Sequence, residues 1–156
     1  MIKMVRVDHR LLHGQVAFAW TKTLGVDCIL IANDEVAKDT LRMGALRMAA
    51  PSGVKLVIKS MEDSIANIKA GKTDKYNLFI LLESIEDAYR LTEEVPEIKF
   101  INLGGIKSAS DKRQISKAIF VSDHDCDLLR KMNDKDVKLE IRMVPDEKPL
   151  NAMDLI

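Results

Sequence analysis

Short apolar runs alternate with segments of helical spacing along nearly the whole chain, and this alternation limits the fold more than any other feature. The runs cover residues 2–7, 27–32, 54–58, 77–82, 98–103, 118–121 and 137–144. Runs that are apolar on both faces are typical of a parallel sheet covered by helices on both sides. The sequence therefore predicts a single α/β domain over residues 1–156, with an open, mostly parallel sheet of about seven strands flanked by helices on both faces.

The segments between the runs carry apolar residues at helical spacing and polar residues where helices begin. Val16, Trp20 and Leu24 recur every four residues, and Gly25 follows as a stop signal. A second stripe, predicted to face the core, follows Asp39 and consists of Leu41, Ala45, Met48 and Ala49. Serines that resemble helix caps precede three further helices, at Ser60, Ser84 and Ser122.

The stretch 104–114 interrupts the alternation because it is polar, begins with two glycines and shows no helical spacing. The strand after it is therefore expected to run antiparallel at an edge of the sheet. The tail after Pro145 is expected either to lie across the body or to bind a neighbour, which leaves a homo-oligomer open.

Composition excludes several classes of partner. Lys and Arg number 24 and Asp and Glu number 24, and the aromatic residues are four Phe, two Tyr and one Trp, so neither charge nor stacking surface favours a nucleic acid. Two distant cysteines, Cys28 and Cys126, form no metal or disulfide pattern, which favours the reducing cytoplasm. The first residues do not resemble a signal peptide, and no apolar run is long enough to span a bilayer, so any membrane association is expected to be peripheral.

The densest group of reactive side chains follows the first strand, where residues 8–15 read Asp-His-Arg-Leu-Leu-His-Gly-Gln. In open α/β sheets, ligands bind at this carboxyl end of the strands. The positive end of a helix dipole lowers the pKa of an imidazole at a helix start and favours bound phosphate. Arg10 can bind two phosphate oxygens at once, and Gly14 allows an anion to approach the backbone closely. Asp8 can hydrogen-bond the second imidazole nitrogen or fix Arg10. The pattern favours an imidazole that accepts and donates an anionic group, most simply phosphoryl.

The stretch from Val5 to Val16, with Trp20 beyond it, resembles the N-terminal signature of the IIB component of the mannose/fructose/sorbose family of the sugar phosphotransferase system. Residues 31–37, 102–105 and 144–145 resemble the same family, so the resemblance extends over essentially the whole chain.

The resemblance implies a cytoplasmic phosphocarrier associated with a membrane permease. It implies that His13 takes phosphoryl on Nδ1 from a phosphorylated IIA protein and passes it to a sugar moved by the membrane components IIC and IID. Arg10 is implied to bind the phosphoryl group, and the phosphate-binding loop also includes Asp8, Gly14 and Gln15. The family's transfer uses no metal, nucleotide or other cofactor, and His13 is expected to be exposed on a flat rim.

One residue departs from the family pattern, because His9 stands where a second aspartate or a small polar residue is common. Alternatives from the residues alone are a zinc site on His9 and His13, a non-enzymatic binding module that uses the same strand ends, and a nucleotide-dependent enzyme. No glycine-rich phosphate loop follows the first strand, and Gly104-Gly105 is interpreted as a turn that lines the same rim.

Overall fold

A computed structural model describes residues 1–156 and contains nine strands and five α-helices. The strands are β1 (Ile2–Asp8), β2 (Cys28–Ala32), β3 (Lys55–Lys59), β4 (Leu78–Leu82), β5 (Phe100–Gly105), β6 (Arg113–Ser116), β7 (Ile119–Val121), β8 (Lys138–Ile141) and β9 (Leu150–Asn151). The helices are α1 (Gly14–Leu24), α2 (Thr40–Met48), α3 (Met61–Lys69), α4 (Ile85–Glu94) and α5 (Asp123–Asp134), with 3-10 turns at Val36–Lys38 and Ala152–Asp154.

Seven strands form one sheet in the order β3-β2-β4-β1-β5-β8-β9. All neighbours are parallel except β8 and β9, which are antiparallel. The predicted fold class is therefore confirmed, and the sheet does have an antiparallel strand at one edge.

Helices cover both faces of the sheet and enclose two apolar cores. The larger core packs α3, α4 and α5 against one face, and the smaller packs α1 and α2 against the other. Because α1 and α4 follow the adjacent strands β1 and β4 on opposite faces, the topological switch point lies between these strands. The carboxyl end of β1 is thus at the place where open α/β sheets bind ligands.

The antiparallel edge strand is not the one that the sequence predicts. The predicted sixth strand is β7, which pairs with β6 in a separate two-stranded sheet, whereas the edge position belongs to β9 in the tail. The polar stretch before β7 supplies its own partner strand, so β7 does not need an edge of the main sheet. The tail lies against the body through β9, as one of the two expectations for it stated.

Most of the apolar stripe predicted for α2 is on the wrong side of that helix, because only Ala49 of its four residues packs against the smaller core. Leu41 and Met48 are 87% and 90% exposed, and Ala45 is exposed between them. The core contacts come from Leu46, which is buried, and Met43, which packs against the smaller core. The nine-residue helix carries apolar residues on two sides, so spacing alone does not identify the inner one.

Serine caps set the starts of three helices, as predicted. Ser122 makes the complete reciprocal box, because its side chain accepts from the Asp125 N–H while the Asp125 side chain accepts from the Ser122 N–H. Ser60 and Ser84 accept from a backbone N–H three residues later. No helix is both long and apolar enough to cross a membrane.

Substitution of Ser122 by alanine is expected to lower the free energy of unfolding by about 1 kcal/mol, the usual cost of losing a helix cap. Urea unfolding followed by circular dichroism measures this loss. Ser110→Ala, in the exposed loop before β6, is the matched control and should change the midpoint little. A loss in Ser110→Ala equal to that in Ser122→Ala would contradict the capping role.

Candidate functional site

The loop between β1 and α1 is held in one conformation by two buried leucines. Leu11 and Leu12 are 2% and 3% exposed and pack into the smaller core. Leu11 has a φ of 58°, a left-handed conformation that costs a non-glycine residue about 1 kcal/mol or more. Its N–H donates to the Asp8 carbonyl at 2.8 Å, which closes a tight turn. Burial of the leucines offsets the strain, so the loop presents His13 from a fixed backbone.

His13 is paired with Asp8 through its Nε2 atom, which lies 2.7 Å from Asp8 Oδ2. Burial alone would raise the pKa of the Asp8 carboxyl, but hydrogen bonds from His13 and from the Arg10 backbone N–H, together with the charge of Arg6, lower it. Asp8 is therefore a carboxylate and can only accept, so His13 Nε2 carries the proton. The Nδ1 lone pair is then left for chemistry.

The His13 side chain is 16% exposed, which is less than the open, flat rim that the sequence predicts. Contact with Asp8, which is itself 2% exposed, draws the ring partly into the protein. A phosphoryl donor must therefore approach one side of the imidazole rather than its whole face.

A buried charged side chain, Arg6, lies behind Asp8. Arg6 is 1% exposed, and its Nη2 donates to Asp8 Oδ2 at 3.1 Å. Its Nη1 donates to Asn102 Oδ1 at 2.8 Å and to the Arg142 carbonyl at 3.2 Å. Burial lowers the pKa of the Arg6 guanidinium, and the carboxylate of Asp8 opposes that effect.

The partners of Arg6 form a polar row across three neighbouring strands. Arg6 on β1 pairs in register with Asn102 on β5, which pairs with Glu140 on β8. Asn102 is fully buried and donates to Glu140 Oε2 at 3.2 Å and to the Arg142 carbonyl at 3.1 Å. Buried polar groups of this kind are stable only when each finds a partner.

Gly104 allows the guanidinium to lie flat against β5. A Cβ atom on Gly104 would be 2.0 Å from Arg6 Cζ, far inside van der Waals contact. Gly104 and Gly105 are thus buried residues within β5, and the interpretation of this pair as a turn is wrong. Gly105 does reach the loop, because its carbonyl accepts from the His9 N–H at 2.9 Å.

Trp20 connects α1 to the segment after β8. Its indole Nε1 donates to the Met143 carbonyl at 2.9 Å, and the guanidinium groups of Arg6 and Arg142 lie over its ring, 5.9 and 5.5 Å from the ring centroid. The residue is 2% exposed, as the apolar stripe predicts. The contacts fix the start of the tail against the site.

The N-terminus of α1 is open to an anion. His13 is its N-cap but makes no capping hydrogen bond, and the first turn has no acidic residue. Helices α3, α4 and α5, by contrast, have serine caps and acidic first turns. Unsatisfied N–H groups and the helix dipole therefore remain available beside His13.

The other predicted site residues surround this opening. Arg10 is exposed; its backbone N–H donates to Asp8 Oδ1 at 2.9 Å, while its guanidinium has no partner within the chain. Gly14 has a φ of 35° and no atom within 4 Å of the place where a Cβ would be, so it leaves space above the helix start. Gln15 is exposed in the first turn of α1. The structure brings Asp8 and His13 into contact and places Arg10, Gly14 and Gln15 around them.

A separate crevice of about 380 Å³ lies at the carboxyl ends of β2, β4 and β5, and His9 is one of its lining residues. Five carboxylates line it against two lysines: Asp34, Glu35, Glu83, Asp87 and Asp125 against Lys107 and Lys112. Burial, with Asp34 and Glu83 nearby, raises the pKa of the Asp87 carboxyl. This crevice repels phosphate, which argues against a nucleotide there, and His13 is outside it.

Three residues of the site were not predicted from the sequence: Arg6, Asn102 and Glu140. One signal was available: each is a polar residue with an apolar residue on either side of it in the sequence. The register that aligns them was not available, because Arg6 and Asn102 are 96 residues apart.

No group of three or more His, Cys, Asp or Glu side chains is arranged as metal ligands.

Fold and site together define a class of protein: an open α/β domain with one carboxylate-paired imidazole at a helix start, on the carboxyl edge of its sheet. The chain belongs to the sorbose subfamily of IIB components of the phosphotransferase system, whose family model matches residues 2–156. The family that the loop motif predicts is therefore confirmed.

Individual relatives agree with the family model. A probable phosphotransferase enzyme IIB component of Streptococcus pyogenes is 41% identical over 106 residues, which are 68% of this chain and 65% of that protein. The mannose-specific EIIAB component of Escherichia coli is 35% identical over all 156 residues, which correspond to 48% of its length. The chain thus spans about half to two thirds of these relatives.

The crystal structure of the IIB domain of the Klebsiella pneumoniae sorbose permease matches with a TM-score of 0.94 and 31% identity. The match covers 99% of this chain and 94% of that one.

Proposed function

We propose that the protein is a phosphocarrier of a sugar phosphotransferase system and that His13 carries the phosphoryl group. One observation carries the proposal. The 2.7 Å contact between His13 Nε2 and the Asp8 carboxylate fixes the proton on Nε2 and leaves Nδ1 as the nucleophile. A non-enzymatic binding module has no need of an imidazole held in one tautomer.

The proposed acceptance step needs no proton transfer at His13. The Nδ1 lone pair forms a bond to phosphorus while the nitrogen–phosphorus bond of the donor's phosphohistidine breaks, and the bond electrons return to the donor imidazole. The proton on Nε2 stays in its hydrogen bond to Asp8. One bond type is broken and the same type is made, so the protein mainly positions the groups and stabilises the moving charge.

Hydrogen-bond donors of the loop and of the start of α1 supply that stabilisation in our proposal. The open N-terminus of α1 offers N–H groups, Gly14 leaves room for phosphate oxygens, and Gln15 adds an exposed side-chain amide. The Arg10 guanidinium, which has no internal partner, binds the oxygens in our proposal. Asp8 orients the imidazole and, as an anion, does not itself bind phosphate, so its role differs from the other loop residues.

The proposed partners follow from the family. The phosphoryl donor is a phosphorylated IIA protein, and the acceptor is a sugar held by the membrane components IIC and IID. The name of the E. coli relative, EIIAB, joins the A and B components. We propose that residues 1–156 act as one IIB domain in the cytoplasm beside the permease, with a mannose-family hexose or amino sugar as substrate.

The test is charging by a phosphoenolpyruvate-driven relay of enzyme I, HPr and a matching IIA. The expected product gains one phosphoryl group by intact mass, is acid-labile, and gives the phosphorus and ¹⁵N NMR signals of an Nδ1 phosphohistidine. Failure to charge, with the same IIA shown to charge another IIB, would reject the carrier function and favour a binding module.

Arg10→Ala is expected to slow phosphoryl acceptance by about 10- to 100-fold, because one charge-assisted contact contributes about 1.5–3 kcal/mol. Rapid-quench measurement of phosphorylated protein gives the rate. Arg90→Ala, an exposed arginine on α4, is the control and should retain the wild-type rate. Equal rates in wild type and Arg10→Ala, for acceptance and for transfer to sugar, would remove Arg10 from the site.

A further inference from the structure

Arg6 lies behind the reacting imidazole rather than beside it. Its Nη2 donates to Asp8 Oδ2, the same oxygen that accepts from His13 Nε2, so guanidinium and imidazole share one carboxylate oxygen. Arg6 is 1% exposed and Asp8 2% exposed. An incoming phosphoryl group therefore has no access to Arg6, and any effect of Arg6 on transfer must act through Asp8.

The anchoring of Arg6 is more elaborate than a single ion pair requires. Asn102 Oδ1 and the Arg142 carbonyl accept from Nη1, at 2.8 and 3.2 Å, and Asn102 is itself held by Glu140. All the side chains of this row are at least nine-tenths buried. The guanidinium fits only because Gly104 has no side chain. The fold thus fixes the position of one positive charge relative to Asp8.

We propose that Arg6 is a positioning residue that balances the two halves of the carrier cycle by sharing the Asp8 carboxylate with His13. The inference rests on the proposed phosphocarrier function and deepens it. Without Arg6, the imidazole would be the only cationic partner of a buried carboxylate, and the doubly protonated imidazolium would be favoured. That form has no lone pair on Nδ1 and cannot accept phosphoryl.

Transfer of the phosphoryl group from His13 to the sugar instead requires a protonated imidazole nitrogen. The nitrogen–phosphorus bond breaks, a sugar hydroxyl oxygen forms the new bond and loses its proton to solvent, and the imidazole leaves most readily when Nε2 is protonated. The hydrogen bond to Asp8 keeps that proton on Nε2. A carboxylate shared with Arg6 is anionic enough to keep the proton on Nε2, but it does not stabilise the imidazolium enough for Nδ1 to take a second proton from solvent.

Other charges near the pair do not compete for the shared oxygen. On the loop, the Arg10 side chain points to solvent, and His9 lines the acidic crevice. The remaining charged groups around Arg6 come from β8 and the segment after it, namely Glu140, Arg142 and Glu147. Neither His9 nor His124 forms an ion pair with Asp8. Arg6 is therefore the cation that shares the Asp8 carboxylate with His13.

Arg6→Met tests the proposal against a matched variant, Arg142→Met. Both variants lose a guanidinium stacked on Trp20, and the second keeps the backbone carbonyl that holds Arg6. In Arg6→Met, the titration midpoint of His13 followed by ¹H–¹⁵N NMR should rise by about one pH unit. Acceptance at pH 7 should then fall about three- to tenfold and recover as the pH rises. In Arg142→Met the midpoint should stay at its wild-type value.

Transfer from the charged protein to sugar gives the decisive contrast. Arg6→Met should transfer at least as fast as wild type at alkaline pH, because Nε2 stays protonated there. A purely structural loosening would slow acceptance and transfer alike at every pH, and that result would overturn the proposal. An unchanged midpoint in folded Arg6→Met would also overturn it.

Arg6→Lys separates charge from geometry and decides the matter if Arg6→Met does not fold. A lysine keeps the positive charge but cannot hold Asn102, the Arg142 carbonyl and Asp8 with a planar fork. Because the positive charge is what limits protonation of His13 in our proposal, we expect a midpoint near wild type and acceptance at pH 7 within about threefold of wild type. A midpoint raised by about one pH unit, or acceptance slowed more than about tenfold at an unchanged midpoint, would overturn the proposal. The NMR titration needs no transfer, so failure of the wild type to be charged rejects the phosphocarrier function without altering the midpoint test.

Discussion

Replacement of His13 by alanine is expected to abolish phosphoryl acceptance, with a fall of at least about 10⁴-fold to the background of the relay. No other imidazole combines a free Nδ1 with a fixed tautomer and an open helix start. Intact mass after incubation with the phosphorylated IIA measures the charged fraction directly. His13→Ala also removes one hydrogen bond to Asp8, which should cost about 1 kcal/mol of folding free energy, so the fold should be retained.

The other two histidines provide the controls for this result. His9 lines the acidic crevice, and His124 is 66% exposed on α5, where its Nε2 is 2.7 Å from Glu86. His9→Ala and His124→Ala should both be charged to the wild-type extent. Stable phosphate on His13→Ala, or its loss in His124→Ala, would place the carrier residue elsewhere.

The parts of the fold that depend on local pattern could be predicted from the sequence. Strands β1 to β5 and β8 of the main sheet each overlap a predicted run, although the run 137–144 is twice as long as β8, and the caps at Ser60 and Ser122 are local hydrogen bonds. The edge strand β9 has only two residues, both exposed, so no apolar pattern marks it. Its position depends on the path of the tail.

Two features that were predicted wrongly, the strand conformation at Gly104 and the buried face of α2, depend on tertiary contacts. Gly104 has little intrinsic preference for a strand, and only the guanidinium of Arg6 across from it explains why a glycine continues β5. The exposed Leu41 and Met48 are as apolar as the buried Leu46, and only the angle at which α2 meets the sheet selects the inner face. Neither choice is encoded within one element.

The candidate site likewise has one part that could be predicted from local sequence and one part that depends on the assembled sheet. His13, Arg10 and Asp8 lie within one short loop, so spacing and a family motif were enough to predict them. The row behind them joins β1, β5 and β8, and its register appears only when the sheet is assembled. Arginine, asparagine and glutamate inside apolar strands are nevertheless costly unless paired, and their presence was a sign that the strands hold a polar network.

Gly104→Ala is expected to lower the free energy of unfolding by at least about 3 kcal/mol, because the new methyl would be 2.0 Å from Arg6 Cζ. Either β5 moves, or the guanidinium leaves Asn102 and Asp8 and becomes a buried charge without partners. Urea unfolding measures the loss.

Two further variants identify the cause of that loss. Gly44→Ala, at an exposed interior position of α2 with no atom within 4 Å, should instead gain about 0.5–1 kcal/mol. In an Arg6→Met background, Gly104→Ala should cost much less than in wild type, because a flexible thioether can move aside where an anchored guanidinium cannot. Equal costs in the two backgrounds would mean that the glycine is required by β5 itself, and the link from Gly104 through Arg6 and Asp8 to the reacting imidazole would be lost.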